Sequence, residues 1–216
     1  MMNHIPRPSL PGEEAALRQL WKLVFGDSDA FLDRFFSLIY TPGMAWVICE
    51  EDEIVSAAYA IQLENAVYIY AVATNPKCRG KGYGKAVTLA AAQGKPAYLY
   101  PAELSLRDWY AREMGAVTVS YRPKFNTSDQ MRPITAEEYN RRRESMLTDT
   151  EHAVYPTNLL QLFEFAGTFM ADDHGIYAVE PDGTVKEALP CEMDKGEPFV
   201  MGLNNAAPMY WGLVFD

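Results

Sequence analysis

The sequence predicts an α/β (α+β) protein in which a mixed central sheet is flanked by helices. Two segments at the start, residues 13–25 and 28–39, repeat apolar side chains at helical spacing. Three segments that alternate as strands follow, and helical and strand patterns then take turns along the chain. With 216 residues, of which 49% are hydrophobic, the chain is long enough to bury a sizeable core.

The first 12 residues are rich in proline and predict a loose lead-in before the first helix. Gly26-Asp27-Ser28 interrupts the helical pattern and supplies a cap for the second helix. Thr41-Pro42-Gly43 ends that helix. The next three strands are predicted at residues 45–49, 54–63 and 68–74, with an acidic turn at residues 50–53.

A glycine-rich turn follows the third strand, which Asn75-Pro76 ends. Its sequence is Arg79-Gly80-Lys81-Gly82-Tyr83-Gly84-Lys85. Glycines allow the backbone to approach a bulky anion, because no side chain stands in the way. Residues 86–92 continue as a helix, so free N–H groups and the positive end of the helix dipole face the turn. The segment therefore predicts a grip for a phosphorylated cofactor.

The glycine spacing excludes three other phosphate-binding loops. A Walker A loop requires Gly-Lys-Ser/Thr after four intervening residues, which the chain lacks after Gly80. Gly80, Gly82 and Gly84 do not follow the Gly-x-Gly-x-x-Gly spacing of dinucleotide-binding loops. The kinase glycine loop needs the same spacing and a hairpin instead of a helix. The remaining alternative is a plain strand-to-helix turn with solvated lysines.

The second half of the chain continues with helices and strands. A helix is predicted at residues 105–114, with Ser105 and Asp108 as a capping box and Gly115 as its C-cap. A second is predicted at residues 137–144, with Thr135 and Glu138 as a capping box. A third is predicted at residues 158–170, with Thr157 as its cap. The strands are predicted at residues 97–100, 116–121, 175–180, 184–189, 199–203 and 209–215. We interpret Arg141, Arg142 and Arg143, which lie among glutamates, as a solvated helix face.

Charge and composition narrow the functional class. The net charge of −10 argues against a general nucleic-acid binder, although Lys77, Arg79, Lys81 and Lys85 form a local basic cluster. The three cysteines and three histidines show no metal-ligand spacing, so we predict no metal site and a reducing compartment. No apolar run reaches the length of a membrane span, and no signal core precedes the first helix. We therefore expect a soluble cytoplasmic protein without a membrane partner.

The segment from Arg79 to Gly84 resembles the acetyl-CoA-binding segment of the Gcn5-related N-acetyltransferases (GNAT). The family pattern is Arg or Gln, two residues, Gly, one residue, then Gly or Ala. The order of elements over residues 13–125 is similar too. The resemblance implies the GNAT fold for a domain of residues 1–130, with residues 131–216 as a C-terminal extension. It implies an N-acetyltransferase that passes the acetyl group of acetyl-CoA to a primary amine of a small molecule or peptide, by direct attack.

The resemblance also implies which residues form the cofactor site. The backbone of Val72, Ala73 and Thr74 would pair with the pantetheine arm, and an N–H near Val72 or Ala73 would serve as oxyanion donor. Amides from Arg79 to Gly84 would hold the pyrophosphate, with charge-assisted bonds from Arg79. The cofactor set is thus Val72, Ala73, Thr74, Arg79, Gly80, Lys81, Gly82, Tyr83, Gly84 and Lys85.

The catalytic residues depart from the family pattern. The carboxylate position four residues before Val72 holds Tyr68, and Glu64 is the other candidate base, directly or through a water. The family's usual tyrosine position, four residues before Gly115, holds Ala111. Tyr110 is one residue further, and a bulge in the last turn would restore its position. These departures keep a second hypothesis open, a non-catalytic acetyl-CoA- or acyl-CoA-binding sensor or assembly protein.

A shift of 130 residues places Leu32 on Leu162, Phe35 on Phe165 and Asp52 on Asp182. This favours the hypothesis that the C-terminal segment is the front half of a degenerate second unit of the fold. Ordinary helix-and-hairpin patterning is the alternative. The apolar C-terminal strands also suit pairing in a homodimer, and the extension suits binding of a protein partner.

Overall fold

A computed structural model describes residues 4–123, 125, 130–192 and 196–214. Within these ranges it contains helices on both faces of a central sheet. The helices are α1 Glu14–Phe25, α2 Asp29–Leu38, α3 Tyr83–Ala92, α4 Leu104–Met114, α5 Ala136–Met146 and α6 Thr157–Ala166. The predicted mixed α/β architecture is therefore confirmed.

The strands form three sheets. They are β1 Arg7–Pro8, β2 Ala45–Glu50, β3 Glu53–Gln62, β4 Val67–Thr74, β5 Ala97–Leu99, β6 Val117–Thr118, β7 Tyr121–Arg122, β8 Arg132–Pro133, β9 Thr168–Ala171, β10 Ile176–Val179, β11 Val185–Leu189, β12 Glu197–Pro198 and β13 Met201–Leu203. The central sheet has the order β1-β2-β3-β4-β5-β13-β6, with β4 and β5 parallel and the other pairs antiparallel. A second sheet has the order β11-β10-β9-β8, and β7 pairs with β12.

The two N-terminal helices pack an aromatic core against the meander. Ser28 caps α2 as predicted, because its hydroxyl accepts the Phe31 N–H at 3.2 Å. Trp21 of α1 is buried, and its ring lies 4.7 Å from that of Phe35 and 5.0 Å from that of Tyr59. This aromatic contact fixes α1 and α2 on one face of the sheet.

Three details of the predicted helices are wrong. Helix α4 begins at Leu104 behind Glu103 and has no side-chain cap, so Ser105 and Asp108 form no capping box. Helix α6 follows Pro156 without a side-chain cap from Thr157, and it ends at Ala166 rather than residue 170. The extended backbone of Gly167 ends α6, and the next residues pair as β9 with β10. This sheet pairing overrides the helical pattern of residues 168–170.

Several strand bounds also differ from the prediction. The strand expected at residues 116–121 divides into β6 and β7, which pair with different partners. The strand at residues 199–203 is limited to β13. The strand predicted at residues 209–215 is reduced, within the described residues 209–214, to an isolated β-bridge between Tyr210 and His152. Phe215 lies outside the described residues.

The C-terminal segment completes the central sheet. Strand β13 lies between β5 and β6, with Gly202 opposite both Tyr98 and Val117. A Cβ on Gly202 would lie 2.8 Å from Val119 Cγ1, so the glycine permits this close packing. Trp211, which is fully buried, places its ring 5.2 Å from the rings of Tyr68 and Tyr98. The proposed division near residue 130 therefore separates two segments that share one sheet.

A buried ion pair joins α5 to β11. Arg143 and Glu187 are both fully buried, and Arg143 Nε donates to both carboxylate oxygens at 3.1 Å. The Tyr139 hydroxyl donates to the same carboxylate at 2.5 Å, and burial raises the pKa of Tyr139 well above its ordinary value. The prediction of a solvated arginine face is wrong for Arg143, because its partner lies far away in the sequence.

Candidate functional site

Strands β4 and β5 part in the middle of the central sheet. Their parallel ladder runs from Val67 opposite Ala97 to Ile69 opposite Leu99, where β5 ends. Two residues later Ala71 adopts φ 46°, and the β3–β4 register shifts at the same point. A bulge of this kind turns the backbone and bends the strand. The end of β4, from Tyr70 to Thr74, therefore borders an opening in the sheet.

The glycine-rich turn leads from β4 into α3. Gly80 and Gly82 have φ 80° and 82°, and a Cβ on either would meet nothing within 4 Å. Gly82 is the N-cap of α3, whose first backbone bond joins the Ala86 N–H to the Gly82 carbonyl at 3.0 Å. The N–H groups just before Ala86 therefore have no partner within the helix. Such N–H groups are able to bind an anion.

Glu50, at the end of β2, holds two side chains of this turn. Its carboxylate accepts hydrogen bonds from Lys81 Nζ at 2.7 Å and from the Tyr83 hydroxyl. The bond from Lys81, followed by that from Tyr83, lowers the pKa of Glu50 to about 2. The charge of Lys81 is thereby engaged within the protein, and Lys85 Nζ lies 3.6 Å from Glu113 Oε2, so the backbone and Arg79 remain to meet an anion. Sequence reasoning placed Glu50 in a turn and gave it no such role.

A groove of about 780 Å³ runs along the glycine-rich turn and the end of β4; we call it the cofactor groove. Its lining includes eight of the predicted cofactor residues, Val72, Thr74, Arg79, Gly80, Gly82, Tyr83, Gly84 and Lys85. Ala73 and Lys81 are not among its lining residues. Ala73 is 2% exposed, and Lys81 is bound to Glu50. Helix α4 supplies the opposite wall through Leu106 and Trp109.

A second cavity of about 180 Å³, the inner pocket, lies where β4 and β5 part. Its lining includes Trp21, Phe25, Asp27, Tyr68, Tyr70, Ala71, Val72, Tyr100, Leu106 and Tyr110. Phe25, Val72 and Leu106 line the cofactor groove as well. The two cavities therefore adjoin beside the β4 bulge, which brings the glycine-rich turn and an aromatic pocket to one strand.

Two of the three predicted catalytic residues line the inner pocket, and the third lies in the turn between β3 and β4. Tyr110 lines the pocket, and burial raises its pKa to about 12, so its hydroxyl is protonated at neutral pH. Helix α4 is α-helical from Leu104 to Met114, so the bulge expected in its last turn is absent. Tyr68 also lines the pocket. Glu64 is exposed in the turn after β3, outside both cavities, where its N–H donates to the Val154 carbonyl.

Asp27 is the pocket residue that sequence reasoning missed. It lies between α1 and α2, and its Oδ2 accepts the indole N–H of Trp21 at 2.7 Å. Gly-Asp-Ser between two helices is typical of a cap, and the structure assigns that role to Ser28. Asp27 is therefore left to face the pocket. The feature that favours a pocket role is the hydrogen bond from Trp21, six residues earlier. This contact is seen only in the folded structure.

Three further features of the described ranges concern metals, disulfides and the membrane. Among these residues, no three His, Cys, Asp or Glu side chains come together as they would around a metal ion. Cys49, Cys78 and Cys191 form no disulfide. None of the helices between residues 4 and 214, as far as the structure describes them, has the length and apolar character needed to cross a bilayer.

Comparison with known proteins agrees with this geometry. Residues 14–99 match the family described as "Acetyltransferase (GNAT) family". The fold is similar to Gcn5-related N-acetyltransferases from Anabaena variabilis (14% identity, TM-score 0.58) and Kribbella flavida (17%, 0.56), and to Eis1 from Mycobacterium abscessus (12%, 0.56). In the same order, the matches cover 85%, 85% and 89% of this chain. The chain spans only 57%, 56% and 60% of the length of those three proteins. No curated protein matches the sequence. Residues 14–99 are therefore similar to the acetyltransferase (GNAT) family, and this match supports an acyltransferase enzyme.

Proposed function

We propose that the protein transfers the acetyl group of acetyl-CoA to a primary amine by direct attack. The observation that carries this proposal is the junction of the cofactor groove with the inner pocket at the β4 bulge. One cavity suits a long phosphorylated donor, and the other suits a small acceptor. Their meeting point beside Val72 is where the two reacting groups would come together.

The groove fits the donor in its shape and its charge. The pyrophosphate would lie at the N-terminus of α3, against backbone N–H groups and the positive end of the helix dipole. Arg79 lines the same part of the groove and would add a charge-assisted bond. The pantetheine arm would follow β4 from Thr74 to Val72, beyond the point where β5 stops pairing.

Two groups at the junction would carry the chemistry. A backbone N–H of Val72 or Ala73 would polarise the thioester carbonyl and stabilise its developing negative charge. Tyr110 would give its proton to the departing thiolate, because its raised pKa keeps the hydroxyl protonated. Cys78 lines the groove beside the glycine-rich turn and is absent from the described lining of the inner pocket. This separation favours direct attack over an acyl-enzyme.

The first test is isothermal titration of acetyl-CoA into the protein, followed by an assay of amine-dependent CoA release. The panel of acceptors is 2-phenylethylamine, butane-1,4-diamine and a lysine-containing peptide. We expect micromolar binding and release of CoA with at least one amine. Binding without turnover of any amine would contradict the enzyme and favour a non-catalytic acyl-CoA-binding protein. Absence of binding would contradict both.

The Tyr110→Phe variant tests the proposed acid. Removing the hydroxyl leaves the aromatic wall in place, so we expect kcat to fall by about 100-fold while the Kd of acetyl-CoA is unchanged. Tyr121→Phe is the matched control, because Tyr121 is exposed and lies outside both cavities. A kcat for Tyr110→Phe within about twofold of the unmodified protein would show that the thiolate takes its proton from elsewhere.

A further inference from the structure

The inner pocket combines aromatic walls with a single carboxylate. Trp21, Phe25, Tyr70 and Tyr100 contribute rings, and Asp27 carries the one formal charge among the described residues that line it. We infer that Asp27 binds the ammonium group of the acceptor and accepts its proton, and that the acceptor is a small monocationic amine with an apolar or aromatic body. This inference rests on the proposed acetyl transfer and specifies its substrate class.

The carboxylate of Asp27 is held in place from both sides. Gly26 ends α1 with φ 77°, and Ser28 caps α2, so the chain on each side of Asp27 is fixed. The Trp21 N–H binds Oδ2 at 2.7 Å and leaves Oδ1 for a ligand. Trp21 is itself 2% exposed and packed against Phe35. A carboxylate positioned by a buried indole has the rigidity that recognition of one ammonium group requires.

The remaining walls determine what the ammonium can be attached to. Aromatic faces attract cations and also accept apolar groups, so they suit both ends of an arylalkylamine. A second positive charge would find no second carboxylate in the described lining. An acceptor carboxylate would lie near Asp27 with no Lys or Arg among those lining residues. Burying an unpaired charge is costly, so diamines and free amino acids should be poor acceptors.

The proposed reaction begins with a proton transfer from the bound acceptor. The ammonium gives one proton to the Asp27 carboxylate and becomes a neutral amine. Its lone pair attacks the thioester carbon, so that a C–N bond forms and the C–S bond breaks, with the electron pair going to sulfur. The Tyr110 hydroxyl gives its proton to the thiolate and receives the proton lost by the nitrogen. Asp27 then releases its proton to solvent, which leaves a neutral amide, CoA thiol and one proton.

Binding of two isosteric probes isolates the role of the charge. We expect 2-phenylethylamine to bind at least about tenfold more tightly than neutral 2-phenylethanol, measured by tryptophan fluorescence with CoA present. Asp27→Asn should abolish this preference, because the amide still accepts the Trp21 N–H but carries no charge. Asp29→Asn is the matched control and should keep the preference, since Asp29 is exposed and pairs with Lys22. A preference unchanged in Asp27→Asn would overturn the inference.

Turnover separates this inference from the proposed function. We expect 2-phenylethylamine to have the highest kcat/KM of the acceptor panel, and Asp27→Asn to lower that value by about 100-fold or more. If butane-1,4-diamine or the peptide is the better acceptor, and Asp27→Asn does not affect it, the inference is wrong and the acetyl transfer stands. If no amine releases CoA, both are wrong.

Discussion

Acetyl-CoA binding is expected to weaken by about 100-fold or more in the double variant Arg79→Glu, Gly82→Glu. Two changes at the mouth of the groove produce this loss. Glu at position 79 replaces a charge-assisted bond with repulsion of the phosphates. Glu at position 82 places a carboxylate beside the N-terminal N–H groups of α3, where it would compete with the pyrophosphate for the same donors. Isothermal titration measures the effect directly.

The chain offers a control with the same chemistry elsewhere. Gly94 has φ 70° and open space around its Cβ position, as Gly82 does, and Arg141 is exposed. Arg141→Glu, Gly94→Glu therefore brings the same change in net charge and a similar backbone strain, about 1–2 kcal/mol. We expect this control to bind acetyl-CoA with an unchanged Kd. Equal losses in the two double variants would attribute the effect to charge or stability and remove the glycine-rich turn from the site.

The largest effect on stability is expected for Arg143→Met. This change leaves the Glu187 carboxylate buried without its cation, although the Tyr139 hydroxyl still donates to it. Breaking a buried pair by removing one partner typically costs about 3–5 kcal/mol of unfolding free energy. Urea unfolding followed by tryptophan fluorescence measures the change, with the slope against denaturant used to check that the transition remains two-state.

The adjacent residue is a natural control for this variant. Arg142 pairs with Glu138 one helical turn away, and both side chains are partly exposed. Pairs of this kind contribute about 0.3–0.5 kcal/mol, so Arg142→Met should change the unfolding free energy only slightly. If Arg143→Met proved as mild as Arg142→Met, water or a rearranged side chain would have to compensate Glu187. The buried pair would then contribute little to joining α5 with β11.

The conformation of the glycine-rich turn was predictable because its signals are local. Positive φ at Gly80 and Gly82 requires glycine, and a helix must begin where the apolar pattern resumes at residue 86. The partners of the charged side chains in this turn were less predictable. Lys81 belongs to the basic cluster in the sequence, yet Glu50 from a different strand engages it. The cluster of cations therefore marked the glycine-rich turn in the sequence but did not show which of them face the groove.

The features that the sequence did not indicate all depend on contacts that exist only in the folded structure. Arg143 appears solvated until Glu187 is placed beside it, 44 residues away. Asp27 appears to be a cap until the Trp21 indole and the pocket are seen together. Residues 168–170 continue a helical apolar pattern, but pairing with β10 makes them a strand. The periodicity of apolar residues indicates the secondary structure of a segment. It does not indicate which other segments that segment will contact in the fold.

The insertion of β13 between β5 and β6 has a consequence for the order in which the molecule assembles during synthesis. Strand β5 is made at residues 97–99, but its second neighbour is made about a hundred residues later. At typical translation rates of roughly 5–20 residues per second, the nascent chain keeps one edge of β5 open for about 5–20 seconds. An open edge is a template for pairing with other chains. The sheet next to the inner pocket therefore closes only after Leu203 has been made, and until then the nascent chain depends on protection of that edge.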